Sequence, residues 1–86
     1  MEMTKNKFKE LFNDYLIIER GFSSETIKAY NNVINIYYSF CNDNDINVME
    51  VTEQILDSFL KQRSSKGLNK KTIALNISVL KLFYNF

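Results

Sequence analysis

The sequence predicts an all-α fold, a four-helix bundle made of two helical hairpins. Of its 86 residues, 45% are hydrophobic and 14% aromatic, which is enough to bury the core of one small domain over residues 1–86. There is no proline and there are only two glycines, whereas a β-rich domain needs turn residues at short intervals. Residues 21–40 and 67–86 also align with each other without a gap, which indicates that one hairpin occurs twice.

The first hairpin is predicted to consist of a helix over residues 5–20 and a second helix that begins after Ser23. In the first helix, apolar side chains recur with the spacing of an amphipathic helix, at Phe8, Leu11, Phe12, Tyr15 and Ile18. Gly21 is expected to end this helix in the left-handed conformation, and the Ser23 hydroxyl to accept from a free amide of the next helix. The second helix should stop at residues 42–45, a run of Asn and Asp that favours turns.

The second hairpin follows a connector at residues 46–51 and has the same order of signals. Thr52 is expected to cap a third helix, which carries apolar side chains at Ile55, Leu56, Phe59 and Leu60. Gly67 should end that helix. Asn69 should cap a fourth helix, whose apolar face is formed by Ile73, Ile77, Leu80 and Tyr84. Each hairpin is therefore expected to bury the apolar face of the other.

The net charge of +1 conceals a separation of charge along the chain. Residues 1–57 contain five Lys and Arg against ten Asp and Glu, a balance of −5, and residues 58–86 contain six Lys and Arg and no acid, a balance of +6. Five of the basic residues fall within residues 61–71. This asymmetry indicates an oriented electrostatic field and favours a charged partner.

The starts of the second and fourth helices differ in charge although their sequences are otherwise alike. Glu25 is expected in the first turn of the second helix, where the positive end of the helix dipole favours an anion. Lys70 and Lys71 are expected in the first turn of the fourth, where each cation is unfavourable by about 0.3–1 kcal/mol. A bound phosphate would remove this conflict. A solvated face that binds nothing is the alternative, and a membrane surface is disfavoured because no free apolar face is left to insert.

The composition also excludes several kinds of catalytic site. The chain has no histidine and one cysteine, Cys41, so a zinc site, a histidine-assisted nucleophile and an internal disulfide are not expected. The carboxylates show no spacing typical of an acid–base dyad, and there is no glycine-rich phosphate loop. We therefore expect no cofactor and no enzymatic activity in this chain. Without a signal-peptide pattern, the expected location is the reducing cytoplasm.

Three runs in the first hairpin together resemble the N-terminal core-binding domain of the tyrosine recombinases, the family of phage and transposon integrases and chromosome-dimer resolving recombinases. They are Phe12-Asn13-Asp14-Tyr15-Leu16, Glu19-Arg20-Gly21-Phe22-Ser23 and Thr26-Ile27-Lys28-Ala29-Tyr30. The third and fourth helices of that domain are similar to the runs Val51-Thr52, Ile55, Phe59-Leu60, Gly67-Leu68-Asn69, Thr72-Ile73, Leu80 and Phe83-Tyr84. No single element is specific, but the ordered set covers residues 8–86.

This resemblance implies a four-helix SAM-like domain that clamps one face of a DNA duplex. It also implies a separate C-terminal catalytic domain of the same parent protein, which breaks and rejoins strands, so this chain is expected to be a segment of a longer integrase. The implied partners are double-stranded DNA, that catalytic domain and other recombinase protomers on the DNA, and no membrane. The DNA-facing residues implied are Ser23, Ser24, Thr26, Lys28, Asn31, Lys66, Asn69, Lys70, Lys71, Thr72 and Asn76.

The chain departs from the family where many members carry pairs of arginines. Asn31-Asn32 and Leu75-Asn76 stand there instead. Asparagine can donate to a phosphate or read adenine, but it releases no counterion, so weak binding by the isolated domain is expected. Two other functions remain open from the sequence. One is a helical protein-protein interaction module, which predicts an exposed apolar patch, and the other is a dimeric repressor-type helix-turn-helix protein.

Overall fold

The computed structural model describes residues 5–86 as four α-helices joined by three connections. The helices are α1 (Lys5–Ile18), α2 (Ser24–Asp43), α3 (Glu53–Ser65) and α4 (Lys70–Asn85). No strand occurs within this part of the chain, so the predicted all-α class is confirmed. The first helix ends two residues before the expected position 20, and residues 1–4 of the expected domain lie outside the described residues.

Both hairpin turns contain a glycine with positive φ, as predicted. Gly21 has a φ of 59° and Gly67 a φ of 76°, in the left-handed region that other residues rarely adopt. At the first turn the Phe22 amide donates to the Leu16 carbonyl at 3.1 Å, and at the second the Gly67 amide donates to the Ser64 carbonyl at 3.1 Å. These bonds satisfy carbonyls in the last turns of α1 and α3, which lack amide partners within their helices.

The three predicted N-caps are also confirmed. Ser23, Thr52 and Asn69 each have an extended backbone immediately before α2, α3 and α4. Their side-chain oxygens accept from the amide three residues later at 3.3 Å for Ser23, 3.3 Å for Thr52 and 2.9 Å for Asn69. Such a cap stabilises a helix by about 0.5–2 kcal/mol relative to alanine, so these residues define where the helices begin.

The core lies where the two hairpins meet. α2 packs on both α1 and α4, and α3 packs on α4. Phe83 of α4 connects the hairpins, because its ring centroid lies 5.1 Å from that of Phe12 and 4.8 Å from that of Phe8, both on α1. The buried hydrophobic side chains are Phe12, Leu16, Val33, Ile34, Tyr37, Cys41, Val48, Phe59, Val79, Leu80 and Phe83.

The connector between the hairpins, residues 44–52, is held against the core by two tyrosines. Val48 is buried, and its carbonyl accepts a hydrogen bond from the Tyr84 hydroxyl at 2.7 Å. The Tyr84 hydroxyl oxygen also lies 2.8 Å from that of Tyr37. Because the single Tyr84 proton is donated to Val48, Tyr37 is the donor in this second bond. The two hydroxyls therefore join the connector to α4 and α4 to α2.

Replacing Tyr84 by phenylalanine is expected to lower the free energy of unfolding by about 1–3 kcal/mol, because the Val48 carbonyl loses its donor and Tyr37 loses an acceptor. Tyr37→Phe is the matched control. It leaves the bond between Tyr84 and Val48 intact, so its cost should be smaller, about 0.5–1.5 kcal/mol. Urea unfolding followed by circular dichroism measures both values. Equal losses in the two variants would contradict a separate contribution from the bond to Val48.

Candidate nucleic-acid interface

The start of α4 presents free amides and two lysines to solvent. Asn69 caps this helix, and its Oδ1 accepts from the Thr72 amide at 2.9 Å. Lys70 and Lys71 lie in the first turn with exposed side chains, and this turn contains no acid. Neither lysine forms an ion pair within residues 5–86. The helix dipole and the two side chains therefore add to one positive potential at this end of the helix.

Only part of the basic run at residues 61–71 is available to an anion. Lys61 pairs with Asp57 on the same helix at 3.0 Å. Arg63 is half-buried, and its Nε is buried with no hydrogen-bond partner among the described residues. Lys66, the C-cap of α3, is exposed. The turn between α3 and α4 thus adds one exposed cation to the two at the start of α4.

The start of α2 has a different character. Ser23 Oγ donates to Thr26 Oγ1 at 3.0 Å and accepts from the Thr26 amide at 3.3 Å, so both hydroxyls are engaged within the first turn. Glu25 in the same turn supplies the anion that a helix N-terminus favours. Ser24 and Lys28 are exposed. This helix start therefore offers polar contacts and one lysine, but a weaker attraction for phosphate than the start of α4.

Four of the residues expected to face DNA are partly or fully withdrawn from solvent. Thr26 and Thr72 are half-buried. Asn31 is also half-buried, and its Nδ2 donates to Asn13 Oδ1 on α1 at 2.8 Å. Asn76 is fully buried, with its Nδ2 donating to the Thr72 carbonyl at 2.7 Å. The prediction that Asn76 faces DNA is wrong, because none of its side chain reaches the surface.

Two exposed asparagines on α2 are not among the predicted residues. Asn32 and Asn35 line a shallow depression together with Glu25, Lys28 and Ala29. Both follow Lys28 at spacings of four and seven residues, which place all three on one helix face. The sequence therefore contained the signal that groups them. Their amides can donate to phosphates or to base edges, beside a lysine that was predicted to face DNA.

Residues 5–86 show neither a metal site nor a membrane span. No three or more His, Cys, Asp or Glu side chains in this part of the chain are grouped so that they could hold a metal ion. None of the four described helices combines the length and the apolar character needed to cross a bilayer.

Burial raises the pKa values of three tyrosines. It raises the pKa of Tyr38 to about 12, and it raises the pKa values of Tyr37 and Tyr84 further above the usual value of about 10. The hydrogen bond that Tyr37 donates to Tyr84 adds to the shift of the Tyr37 pKa. These rings pack between α2 and α4, so they contribute to the core rather than to an exposed surface on which bases could stack.

The chain is similar to known proteins over nearly its whole length. The family model described as "Phage integrase, N-terminal SAM-like domain" matches residues 10–86. Tyrosine recombinase XerC of Bacillus subtilis is 39% identical over 87 residues, which cover 100% of this chain and 28% of that protein. XerC of Bacillus pumilus is 35% identical over 83 residues (95% of this chain and 27% of that protein). The resemblance noted in the sequence is confirmed.

A more distant relative gives the same result. A tyrosine recombinase of Pseudothermotoga lettingae is 31% identical over 77 residues, which cover 87% of this chain and 27% of that protein. The chain therefore spans 27–28% of the length of the relatives named here. No solved structure matches the chain significantly.

Proposed function

Since this chain belongs to the family of phage integrase N-terminal SAM-like domains, we propose that it is the DNA-binding module of a tyrosine recombinase. In this role the bundle clamps one face of duplex DNA with little dependence on base sequence. It positions a catalytic domain for site-specific recombination and DNA integration. The observation that carries the proposal is the start of α4, where Lys70 and Lys71 stand exposed beside free helix amides.

The start of α4 suits a phosphate for three reasons. The first-turn amides point out of the helix end without intrahelical partners. The dipole favours an anion there, so a bound phosphate converts two unfavourable lysine positions into favourable ones. Lys66 adds a third exposed cation on the preceding turn. Contacts of this kind fix the position and orientation of a protein on a duplex without reading its sequence, which supports a sequence-tolerant clamp.

The start and outer face of α2 would supply a second, weaker line of contacts. Its exposed side chains are mostly uncharged, and the asparagine pair beside Lys28 extends the line along the helix. Asn76 is no longer included, because it is buried. The residues proposed to contact DNA are Ser23, Ser24, Thr26, Lys28, Asn31, Asn32, Asn35, Lys66, Asn69, Lys70, Lys71 and Thr72.

Strand breakage and rejoining would be carried out by a catalytic domain of a longer parent protein. The matched relatives carry the name tyrosine recombinase, and this chain corresponds to 27–28% of their length. The module would act on cytoplasmic DNA beside other protomers of the recombinase. Its contribution would be position and affinity, and no reacting group would come from its own side chains.

We expect the affinity of the 86-residue chain for duplex DNA to fall steeply with salt. Neutralisation of roughly four phosphates by the four lysines proposed to contact DNA gives a slope of roughly −3.6 for log K against log salt concentration, since each contact contributes about −0.9. Fluorescence anisotropy with two labelled duplexes of unrelated sequence measures this slope. Similar slopes and affinities on both duplexes are expected of a sequence-tolerant clamp.

Binding that does not change with salt would contradict the proposal, because phosphate contacts release counterions.

The alternative function is a helical protein-protein interaction module. One observation favours it, since apolar side chains are exposed at the end of α1 and line a groove between α3 and α4. Neither surface includes the first turn of α4, so one chain can use both kinds of surface.

A further inference from the structure

The outer face of α2 carries a row of exposed polar side chains. Glu25, Lys28, Asn32 and Asn35 follow one another at spacings of three, four and three residues, which place them on one side of the helix. We name these four residues the α2 stripe. All four are exposed, and together with Ala29 they line one shallow depression. The stripe is about 15 Å long, so nearly three turns of α2 are open to a partner.

The two asparagines of the α2 stripe make no contribution to the fold through hydrogen bonds. Asn31 and Asn76 each donate to a neighbouring side chain or carbonyl. The side chains of Asn32 and Asn35, in contrast, form no hydrogen bond within residues 5–86. Asparagine also favours a helix interior less than lysine or glutamate does. Folding alone therefore gives no reason for two free amides in the middle of α2, and both amides are available to a ligand.

The internal repeat shows that the two hairpins differ in chemistry at these positions. The alignment of residues 21–40 with residues 67–86 pairs the α2 stripe with four exposed residues of α4, which are Lys71, Ala74, Ser78 and Lys81. The α4 positions hold two cations and no amide, which suits contacts to phosphates. The α2 positions hold one cation, one acid and two amides. A carboxylate repels phosphates, so the α2 stripe suits the edges of bases better than the DNA backbone.

We propose that α2 lies in the major groove of the DNA and that Asn32 and Asn35 read adenines there. This inference rests on the proposed function and adds a base preference to it. An asparagine amide donates to N7 of adenine and accepts from N6, a pair of bonds that only adenine offers in the major groove. An α-helix fits this groove, which is about 12 Å wide. Asn32 and Asn35 lie about 4.5 Å apart along the helix axis, close to the step of about 3.4 Å between base pairs, so they reach neighbouring pairs.

The two helices would then divide the work of binding. The lysines at the start of α4 contact phosphates and position the domain, whereas the α2 stripe supplies a preference among bases. Most of the affinity still comes from the phosphate contacts. A preference for two neighbouring A·T pairs leaves the clamp tolerant of sequence, because such a step recurs several times in any duplex of mixed sequence.

Replacement of adenine by 7-deazaadenine in the DNA tests the contact, because this base lacks the N7 acceptor and keeps its Watson–Crick pairing. The affinity of the 86-residue chain for a mixed-sequence duplex should fall by about fivefold or more when its adenines are replaced. A duplex with inosine in place of guanine is the control. Inosine lacks the minor-groove amino group of guanine but keeps its major-groove edge, so the affinity should not change. Fluorescence anisotropy at low salt measures all three duplexes.

A double variant, Asn32→Ala combined with Asn35→Ala, assigns the preference to these two side chains. It should bind the unmodified duplex no more tightly than the wild type binds the 7-deazaadenine duplex. Its salt slope should equal that of the wild type, because no charge is removed. Both positions are exposed, and alanine is the best helix former, so the variant folds. Asn85→Ala, at an exposed position at the far end of α4 from its first turn, is the matched control and should keep the preference.

The possible failures separate this inference from the proposed function. A wild-type chain that binds the unmodified and 7-deazaadenine duplexes equally, with the expected salt slope, overturns the reading of adenine and leaves the proposed function standing. Tighter binding to the inosine duplex indicates reading of the minor groove and also overturns the inference. So does a double variant that is folded by circular dichroism and keeps the full preference. Binding to none of the duplexes at low salt contradicts the proposed function itself, and the inference then falls with it.

Discussion

Replacing Lys70 and Lys71 together by glutamate is expected to abolish retention on duplex DNA at low salt and, at the same time, to make the fold more stable. Both lysines are exposed in the first turn of α4, without an ion pair among residues 5–86. The double variant exchanges two cations at the positive end of the helix dipole for two anions. Each removed cation and each added anion is worth about 0.3–1 kcal/mol, so the free energy of unfolding should rise by about 1 kcal/mol or more.

The loss of DNA binding has a separate cause. A phosphate at this helix end would lose two cationic partners and meet two carboxylates, so the affinity should fall by about 100-fold or more. Any residual binding should show a salt slope that is smaller by about 2, because each lost lysine contact removes about one unit. The opposite signs of the two effects distinguish lost binding from lost folding. Mobility-shift titrations and thermal unfolding measure them on the same preparation.

The matched control is Lys7→Glu combined with Lys81→Glu. It changes the net charge by the same amount, but the substitutions lie on α1 and in the C-terminal half of α4, away from the first turn. Most of the affinity should remain in this variant. A Lys70 and Lys71 variant that is folded and binds as tightly as the wild type would contradict the contact. Equal losses in both double variants would indicate that only the net charge matters.

The features of the fold that depend on close sequence neighbours could be predicted. Gly21 and Gly67 reach positive φ because they lack a Cβ atom. Ser23, Thr52 and Asn69 cap their helices because a short polar side chain can reach the amide three residues on. These are local interactions that need no knowledge of the rest of the bundle. They mark the starts of α2, α3 and α4 and the ends of α1 and α3.

The family resemblance implied that Asn76 faces DNA, whereas the helical spacing of α4 places it in the core. Asn76 lies three residues after Ile73 and four before Leu80, on the face that the helical spacing assigns to the core. In the internal repeat it aligns with Tyr30, which is half-buried. What could not be predicted is that the bundle would tolerate its Oδ1, which is buried without a hydrogen-bond partner among the described residues. That depends on packing between helices that are distant in sequence.

The charge count likewise could not show which cations are available to a ligand. The sequence places five basic residues between positions 61 and 71. The structure pairs Lys61 with Asp57, one helical turn before it, and places Arg63 in a groove with α2 residues. The pair of Lys61 and Asp57 could be expected from their spacing of four residues. The position of Arg63 depends on how α3 lies against α2, which only the tertiary structure defines.

Raising the pH above about 10 is expected to remove much of the stability of the fold. Tyr37 is fully buried, and burial together with its hydrogen bond to Tyr84 raises its pKa well above the usual value. Burial also raises the pKa of Tyr84. In the unfolded chain both phenols ionise near pH 10. Stability is therefore complete below that pH, and it is lost as the pH rises from there toward the native pKa values.

The size of this effect follows from proton linkage. A tyrosine that ionises only in the unfolded chain lowers the free energy of unfolding by about 1.4 kcal/mol per pH unit. Tyr84 is partly exposed, so the two residues together give about 2–3 kcal/mol per unit. Tyr38, with a pKa of about 12, steepens the loss between pH 10 and 12. A domain of this length has a stability of roughly 4–13 kcal/mol, so a loss of this size between pH 10 and 12 is expected to remove a large fraction of it.

Tyr37→Phe separates ionisation from the loss of a hydrogen bond. The variant should be less stable than the wild type at about pH 8, yet its stability should fall less steeply above pH 10, by about 1.4 kcal/mol per unit. A missing hydrogen bond alone would lower the whole curve without changing its slope. Urea unfolding at several pH values measures both curves. Part of the tyrosinate absorbance should rise only as the helical circular dichroism is lost. If the tyrosinate absorbance instead reached its full value while the chain was still folded, the burial of these two phenols would be contradicted.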